Sequence, residues 1–342
     1  MSKNPSGPWP ITPDLAFGVL ADCGLVSWVG RGMFDHFVWS VVVVPPLFFL
    51  VARLFAGRLD PWRGAVVLAW SAAGAAFAST VNLAVFALKA LAEVPAVAGL
   101  FDWSHHTVAE DTGHVPWVSW LSLALLAGAT VATGRVWWRH RRVLRTAGEL
   151  VELPNHDGVL VLTDDAPLAY AVPGRPGVVV VTTGMRAALT SEQFAALLAH
   201  ERAHLAGRHH RLIRLAALAG AAHPAFRWVS GRVDFLVERA ADERAAAEVG
   251  SRRMVARAIG AAALAVGDRA GRSSATAPVA SAVARGGEVP RRVGALLRPA
   301  GGVRARYLAV LPAVLAVGSI VWTGEAVYDL HELLRTARVT GR

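Results

Sequence analysis

Four stretches of the chain are apolar almost without interruption and long enough, at about 20 residues each, to cross a bilayer as helices: Phe37 to Ala56, Gly64 to Leu88, Val115 to Trp138 and Tyr307 to Tyr328. A further stretch, Leu15 to Val29, is broken by Asp22 and two glycines and reads as interfacial or re-entrant rather than spanning. Pro45 and Pro46 lie inside the first span, where neighbouring helices in lipid tolerate a kink.

Between the third and fourth spans the pattern changes. Val159 to Thr163, Leu168 to Val172 and Val178 to Thr183 are short β-branched runs separated by DDAP and PGRPG, which predict strands joined by turns. Thr190 or Ser191 then caps a helix in the pattern T-S-E-Q followed by FAALLAHERAHLAG. Further helices are expected over Val233 to Val249 and Met254 to Val266, and the Gly, Ser, Ala and Arg-rich stretch Gly267 to Gly287 reads as a linker. The expected fold is a mainly α, polytopic membrane protein with an α+β domain between the third and fourth transmembrane helices. Its divisions are 1–138 for the first three spans, 139–306 for that domain, 307–328 for the fourth span and 329–342 for a short tail.

Composition agrees with the membrane reading, since 54% hydrophobic residues, 18% charged residues and a mean hydropathy of +0.42 exclude an ordinary soluble domain. A net charge of +10 would suit nucleic acid, but its location assigns it to topology instead. Arg53, Arg58 and Arg63 stand between the first two spans, whereas the next loop carries Glu93, Asp102, Glu110 and Asp111. Arg135, Arg139, Arg141, Arg142 and Arg145 follow the third span and place the block behind them inside. The expectation is a multi-pass protein of the inner (plasma) membrane, with the block 139–306 cytoplasmic, an external tail, the lipid bilayer as partner and no direct nucleic-acid contact. The lone Cys23 excludes an internal disulfide and a multi-cysteine metal site. The N-terminus lacks the features of a cleaved signal peptide. Trp103, His105, His106 and His114 in the external loop have no diagnostic ligand spacing and read as interfacial.

The chemistry is carried by His200-Glu201-Arg202-Ala203-His204, an H-E-x-x-H pattern within a helical context. Residues at i and i+4 share a helix face, so both imidazoles can meet one Zn²⁺ while Glu201 serves as catalytic base to the attacking water. For the third ligand two answers stand. His204, Gly207 and His210 complete H-E-x-x-H-x-x-G-x-x-H, in which the glycine turns the chain so that a third histidine reaches zinc, making His210 the alternative metal ligand. Yet RLIRLAALAG continues a helical pattern after His210, and ERAADERA offers Glu238 as the favoured ligand, with Asp242 one turn on to orient a ligand histidine, so the block 139–306 is expected to be an α+β, gluzincin-like zinc peptidase domain. His223, in AAHPAF, is a candidate oxyanion stabiliser. Val178, Val179, Val180 and Val181 are expected to offer an edge to which a substrate strand adds.

The segments AYAVPGRPGVVVVTTGMRAALTSEQFAALLAHERAHLAGRHH and LVERAADERAAAEVG resemble the integral-membrane metallopeptidases of the BlaR/MecR antirepressor family, with a more distant likeness to HtpX and Ste-type proteases. The resemblance implies a Pro-Gly turn and a strand ending in T-T-G before the zinc helix, here Val178 to Gly184, and an E-x-x-A-D motif that supplies the third ligand, here Glu238 to Asp242. It implies a zinc endopeptidase acting on a protein substrate in regulated proteolysis or signalling, by cleavage of a cytoplasmic transcriptional repressor or of itself. Quality control or processing of membrane proteins, and a catalytically silent receptor, are the alternative functions. The chain departs from the β-lactam receptors in having no S-x-x-K, so acylation of such a sensor is not expected, and a stimulus would enter through the spans, the external loop or a partner.

Overall fold

The computed structural model describes residues 34–55, 59–112, 116–272, 288–298 and 310–340; the segment 15–29 and positions 273–287 of the expected linker lie outside them. Among the described residues, four helical stretches are long and apolar enough to span a membrane. The first comprises α1 (Phe34–Phe37), a π-helical stretch Val38–Val43 and α2 (Val44–Phe55). α3 (Pro61–Ala92) follows, capped by Asp60, whose side chain accepts the Arg63 amide at 3.1 Å. The short helices α4 (Pro95–Leu100) and α5 (His105–Thr112) lead to the third span, α6 (Pro116–Val151), which runs without a break through the basic cluster at 135–145. The fourth is α13 (Val310–Thr340), longer at its C-terminal end than its apolar run predicts. α3 is the centre of the bundle: 67% of its most apolar stretch is buried, against 22 to 28% in the other three. Its small residues Ala69, Ala72 and Ala75 allow that close approach, and Asn82 donates across to Thr323 of α13 at 2.7 Å.

The three strands form one small sheet in the order β1 (Val159–Leu162), β3 (Val178–Thr182), β2 (Ala169–Val172), with β1 parallel and β2 antiparallel to β3. Thr182 caps α7 (Thr183–Ala188) by accepting the Met185 amide. Gly184 is needed there because a Cβ would stand 2.2 Å from the Asp165 carbonyl oxygen. Then come α8 (Ser191–Ala206), α9 (His209–Ala222), a 3₁₀ turn (Pro224–Phe226), α10 (Arg227–Val249), α11 (Arg252–Arg272) and α12 (Glu288–Leu296). α11 continues through Gly267 into the stretch expected to be a linker.

The α9–α10 hairpin does not stand apart from the spans. Leu212, Ala216 and Ala219 of α9, Phe226 of the turn and Val229, Val233, Leu236 and Val237 of α10 share one core with Phe48 and Ala52 of α2 and with residues 65–76 of α3. At 1.5 Å per residue the contact runs along about 16 Å of α3. The tip is pinned to the first span. In that span the Val41 carbonyl would accept an amide from residue 45 in an α-helix or 46 in a π-helix, and both are proline. His223 fills the place: its Nε2–H donates to the Val41 oxygen at 3.2 Å, while its Nδ1 accepts the Ala225 amide at 3.3 Å.

Candidate metal centre and active site

α8 begins with a full capping box between Thr190 and Gln193, and Ala196, Ala199, His200 and Ala203 form its buried face. Ala196 and Ala199 pack on Ala245 and Ala246 of α10 and on Val255 and Ala256 of α11. This small-residue contact brings α10 close enough for Glu238 to reach both histidines of α8.

His200 Nε2 and His204 Nε2 are 3.2 Å apart; His200 Nε2 is 3.5 Å from Glu238 Oε2, and His204 Nε2 is 3.5 Å from Glu238 Oε1. Tetrahedral zinc with bonds of about 2.0–2.1 Å separates its ligand atoms by about 3.3 Å. The two histidine nitrogens have that separation, one ligand atom from each of the three residues lies within 4.8 Å of the others, and two imidazoles with one carboxylate are a donor set that zinc accepts. His200 Nδ1 faces Asp242 Oδ1 at 3.0 Å, and Asp242 is almost wholly buried. His210 lines the neighbouring cavity but is not among the clustered donors, because α9 carries it onward as an unbroken helix.

Two neighbours were not visible in the sequence pattern. Arg292 of α12 reaches in from 50 residues beyond Asp242, donating to Asp242 Oδ2 at 2.9 Å from Nε and to Oδ1 at 2.6 Å from Nη2, and to Glu238 at 2.8 Å from Nη1. His209 places its Nδ1 2.9 Å from His204 Nδ1. No spacing rule points to either.

The electrostatics divide the two histidines. Burial works against a charge on His200, but hydrogen bonds to Asp242 and Glu238 outweigh it and hold its pKa up at about 10. Burial, only partly opposed by Glu238, draws His204 down to about 3. The Glu238 carboxyl is held well below the usual range: burial opposes this, but the His200 hydrogen bond and the charges of His204 and Arg292 prevail. Glu201 goes the other way, since burial pushes its carboxyl up while His200, Arg292 and the Ala171 amide pull less strongly down.

Glu201, His200, His204, Glu238 and Arg292 share a cavity of about 470 Å³ with Leu168 and with Ala169 to Ala171 of β2. The strand beside the site is thus β2 and not β3. All five residues of β3 are buried, and pairing with β1 on one side and β2 on the other leaves it no edge, so Val178, Val179, Val180 and Val181 cannot receive a substrate strand. His223 is also corrected: it is spent on Val41 at the tip of the hairpin and is no oxyanion stabiliser, since it does not line this cavity.

Fold and site together define a protein that has, among the described residues, four apolar, membrane-length helices and a His-His-Glu cluster suited to a metal ion. Residues 135–300, a little under half of the chain, match the model of peptidase family M48, a family of zinc metallopeptidases. The match supports that class of enzyme and does not extend to the BlaR/MecR group in particular. No curated protein and no solved structure matches the chain at a significant level.

Proposed function

We propose that the chain is a membrane-embedded zinc endopeptidase that hydrolyses peptide bonds of a protein substrate on the cytoplasmic side. The observation that carries this reading is the donor cluster of His200, His204 and Glu238, whose ligand atoms lie within 4.8 Å of one another, with the Glu201 carboxyl in the same cavity. Zinc, when bound by these three residues, would supply Lewis acidity that lowers the pKa of water and polarises the scissile carbonyl. Glu201 takes the proton of the attacking water and delivers it to the leaving nitrogen as the C–N bond breaks. Its burial makes it a stronger base than an exposed carboxylate. An extended substrate would lie along the outer edge of β2, the strand that lines the cavity.

The hairpin supports a regulated enzyme. His223 fastens its tip to the first span, and α9 begins at His209 beside His204, so displacement of a span reaches the metal ligands through one rigid helix. In this reading the substrate is a cytoplasmic transcriptional repressor or the chain itself, as in the BlaR/MecR antirepressors. The test is metal analysis of detergent-purified protein together with cleavage of an unfolded protein. Zinc should be retained in His210→Ala and lost in Glu238→Ala, and cleavage should stop with a chelator. The reverse pattern of zinc loss would assign a three-histidine site and overturn the ligand set.

A further inference from the structure

We propose that His209 is a positioning residue for His204, tying this ligand to the first turn of membrane helix α3; the proposal rests on the zinc reading above. Three contacts fix the His209 ring, which is 3% exposed. Its Nδ1 meets His204 Nδ1 at 2.9 Å with the rings edge to face at 85°. Its outer side lies against Trp62, ring centroids 5.3 Å apart, and Trp62 is the second residue of α3. Its Nε2 side rests on Gly207, where a Cβ would stand 2.2 Å from that nitrogen. Arg208, at φ 49°, swings the chain so that the ring folds back under α8. The glycine of the H-E-x-x-H-x-x-G pattern therefore makes room for His209 and does not deliver His210 to the metal.

The tautomers follow. His204 presents Nε2 to His200 and Glu238, and an imidazole that gives the Nε2 lone pair to a cation keeps its proton on Nδ1. That N–H donates to His209 Nδ1, which is bare, and the His209 proton sits on Nε2. Each ligand histidine then has its own orienting acceptor, Asp242 for His200 at 3.0 Å and His209 for His204 at 2.9 Å. A neutral imidazole supplies the second acceptor without a further negative charge in a site that already holds Glu201, Glu238 and Asp242. Because Trp62 packs on the same ring, a shift of α3 moves His204.

The experiment measures zinc affinity of the full-length protein in detergent by competition with a chromogenic chelator, and the visible spectrum of the Co²⁺ form. His209→Ala should weaken zinc by about 10–100-fold, as loss of such a partner does, with circular dichroism unchanged. His209→Asn, whose Oδ1 stands near the Nδ1 position and accepts the same hydrogen bond, should restore most of the affinity and the wild-type Co²⁺ spectrum. Gly207→Ala, which displaces the ring without touching its chemistry, should resemble His209→Ala, and it carries the test if His209→Ala fails to fold. Wild-type affinity and an unchanged Co²⁺ spectrum in His209→Ala or Gly207→Ala would overturn the proposal while leaving the zinc reading intact. A wild-type protein that binds no zinc would overturn both.

Discussion

Asp242→Ala separates two jobs that one side chain performs. Asp242 is 1% exposed, binds Arg292 through both oxygens at 2.6 and 2.9 Å and faces His200 Nδ1 at 3.0 Å. Its removal leaves a largely buried guanidinium with Glu238 alone, and breaking a buried pair from one side costs about 3–5 kcal/mol. At roughly 2–4 °C per kcal/mol for a unit of 150–250 residues, the thermal midpoint should fall by about 6–20 °C. Zinc affinity should fall by about 10–100-fold, because His200 loses the acceptor that orients it. The double variant Asp242→Ala/Arg292→Met removes both charges and should recover part of the stability, since a buried pair replaced by apolar groups is often neutral but Glu238 loses its Arg292 contact. It should not recover zinc affinity. Unfolding followed by circular dichroism and chelator competition on the same preparations read the two effects separately. If the double variant regains zinc affinity along with stability, Asp242 acts only by neutralising Arg292, and its orienting role is refuted.

His223→Leu should orphan the Val41 carbonyl and the Ala225 amide, at about 1–3 kcal/mol for each buried group, and lower the unfolding midpoint while zinc content stays at wild-type level; an unchanged midpoint would contradict the pinning role. Acid should unfold the site steeply. The Asp242 carboxyl is held below its ordinary value, burial opposing but the Arg292 and His200 hydrogen bonds prevailing, so its stabilisation is complete above the ordinary carboxylate pKa of about 4 and is lost as pH falls through the lowered one. Midpoints measured from pH 6 downward should therefore drop less steeply in Asp242→Asn than in wild type. Val180→Pro should abolish folding rather than cleavage alone, because β3 is paired on both sides; a soluble, zinc-loaded Val180→Pro protein would contradict the strand order.

Much of the architecture is carried by local periodicity and is readable from it. The four spans are uninterrupted apolar runs, and the i, i+4 spacings of His200 with His204 and of Glu238 with Asp242 place each pair on one helix face. The strands and helices expected between the third and fourth spans follow from cap and turn residues, and the structure moves their ends by only a few residues, apart from α10, which starts six residues earlier at Arg227, and α11, which runs six residues further to Arg272; α7 and α12 were not expected from the sequence. Four consecutive valines with no polar alternation signal a strand buried on both faces, but its central place between β1 and β2 is set by pairing that the run does not encode. The hairpin was harder. HHRLIRLAALAGAA is shorter than a span and begins with charge, so hydropathy gives no hint that it packs along α3. Arg292 and His209 were invisible because their partners are set by tertiary packing, across 50 residues in one case and around a left-handed turn in the other.

The central claim, that this cluster hydrolyses peptide bonds with Glu201 as the base, meets its most direct test in Glu201→Gln. Glutamine keeps the size of the side chain and leaves His200, His204 and Glu238 free to hold zinc, but it does not accept the proton of water. Zinc content and cleavage of the same unfolded substrate should be measured on wild type and variant side by side. Full zinc occupancy is expected in both, with a fall in turnover of about 10²–10⁴-fold or more in Glu201→Gln, the contribution of a positioned general base. Undiminished, chelator-sensitive cleavage by the variant would contradict it.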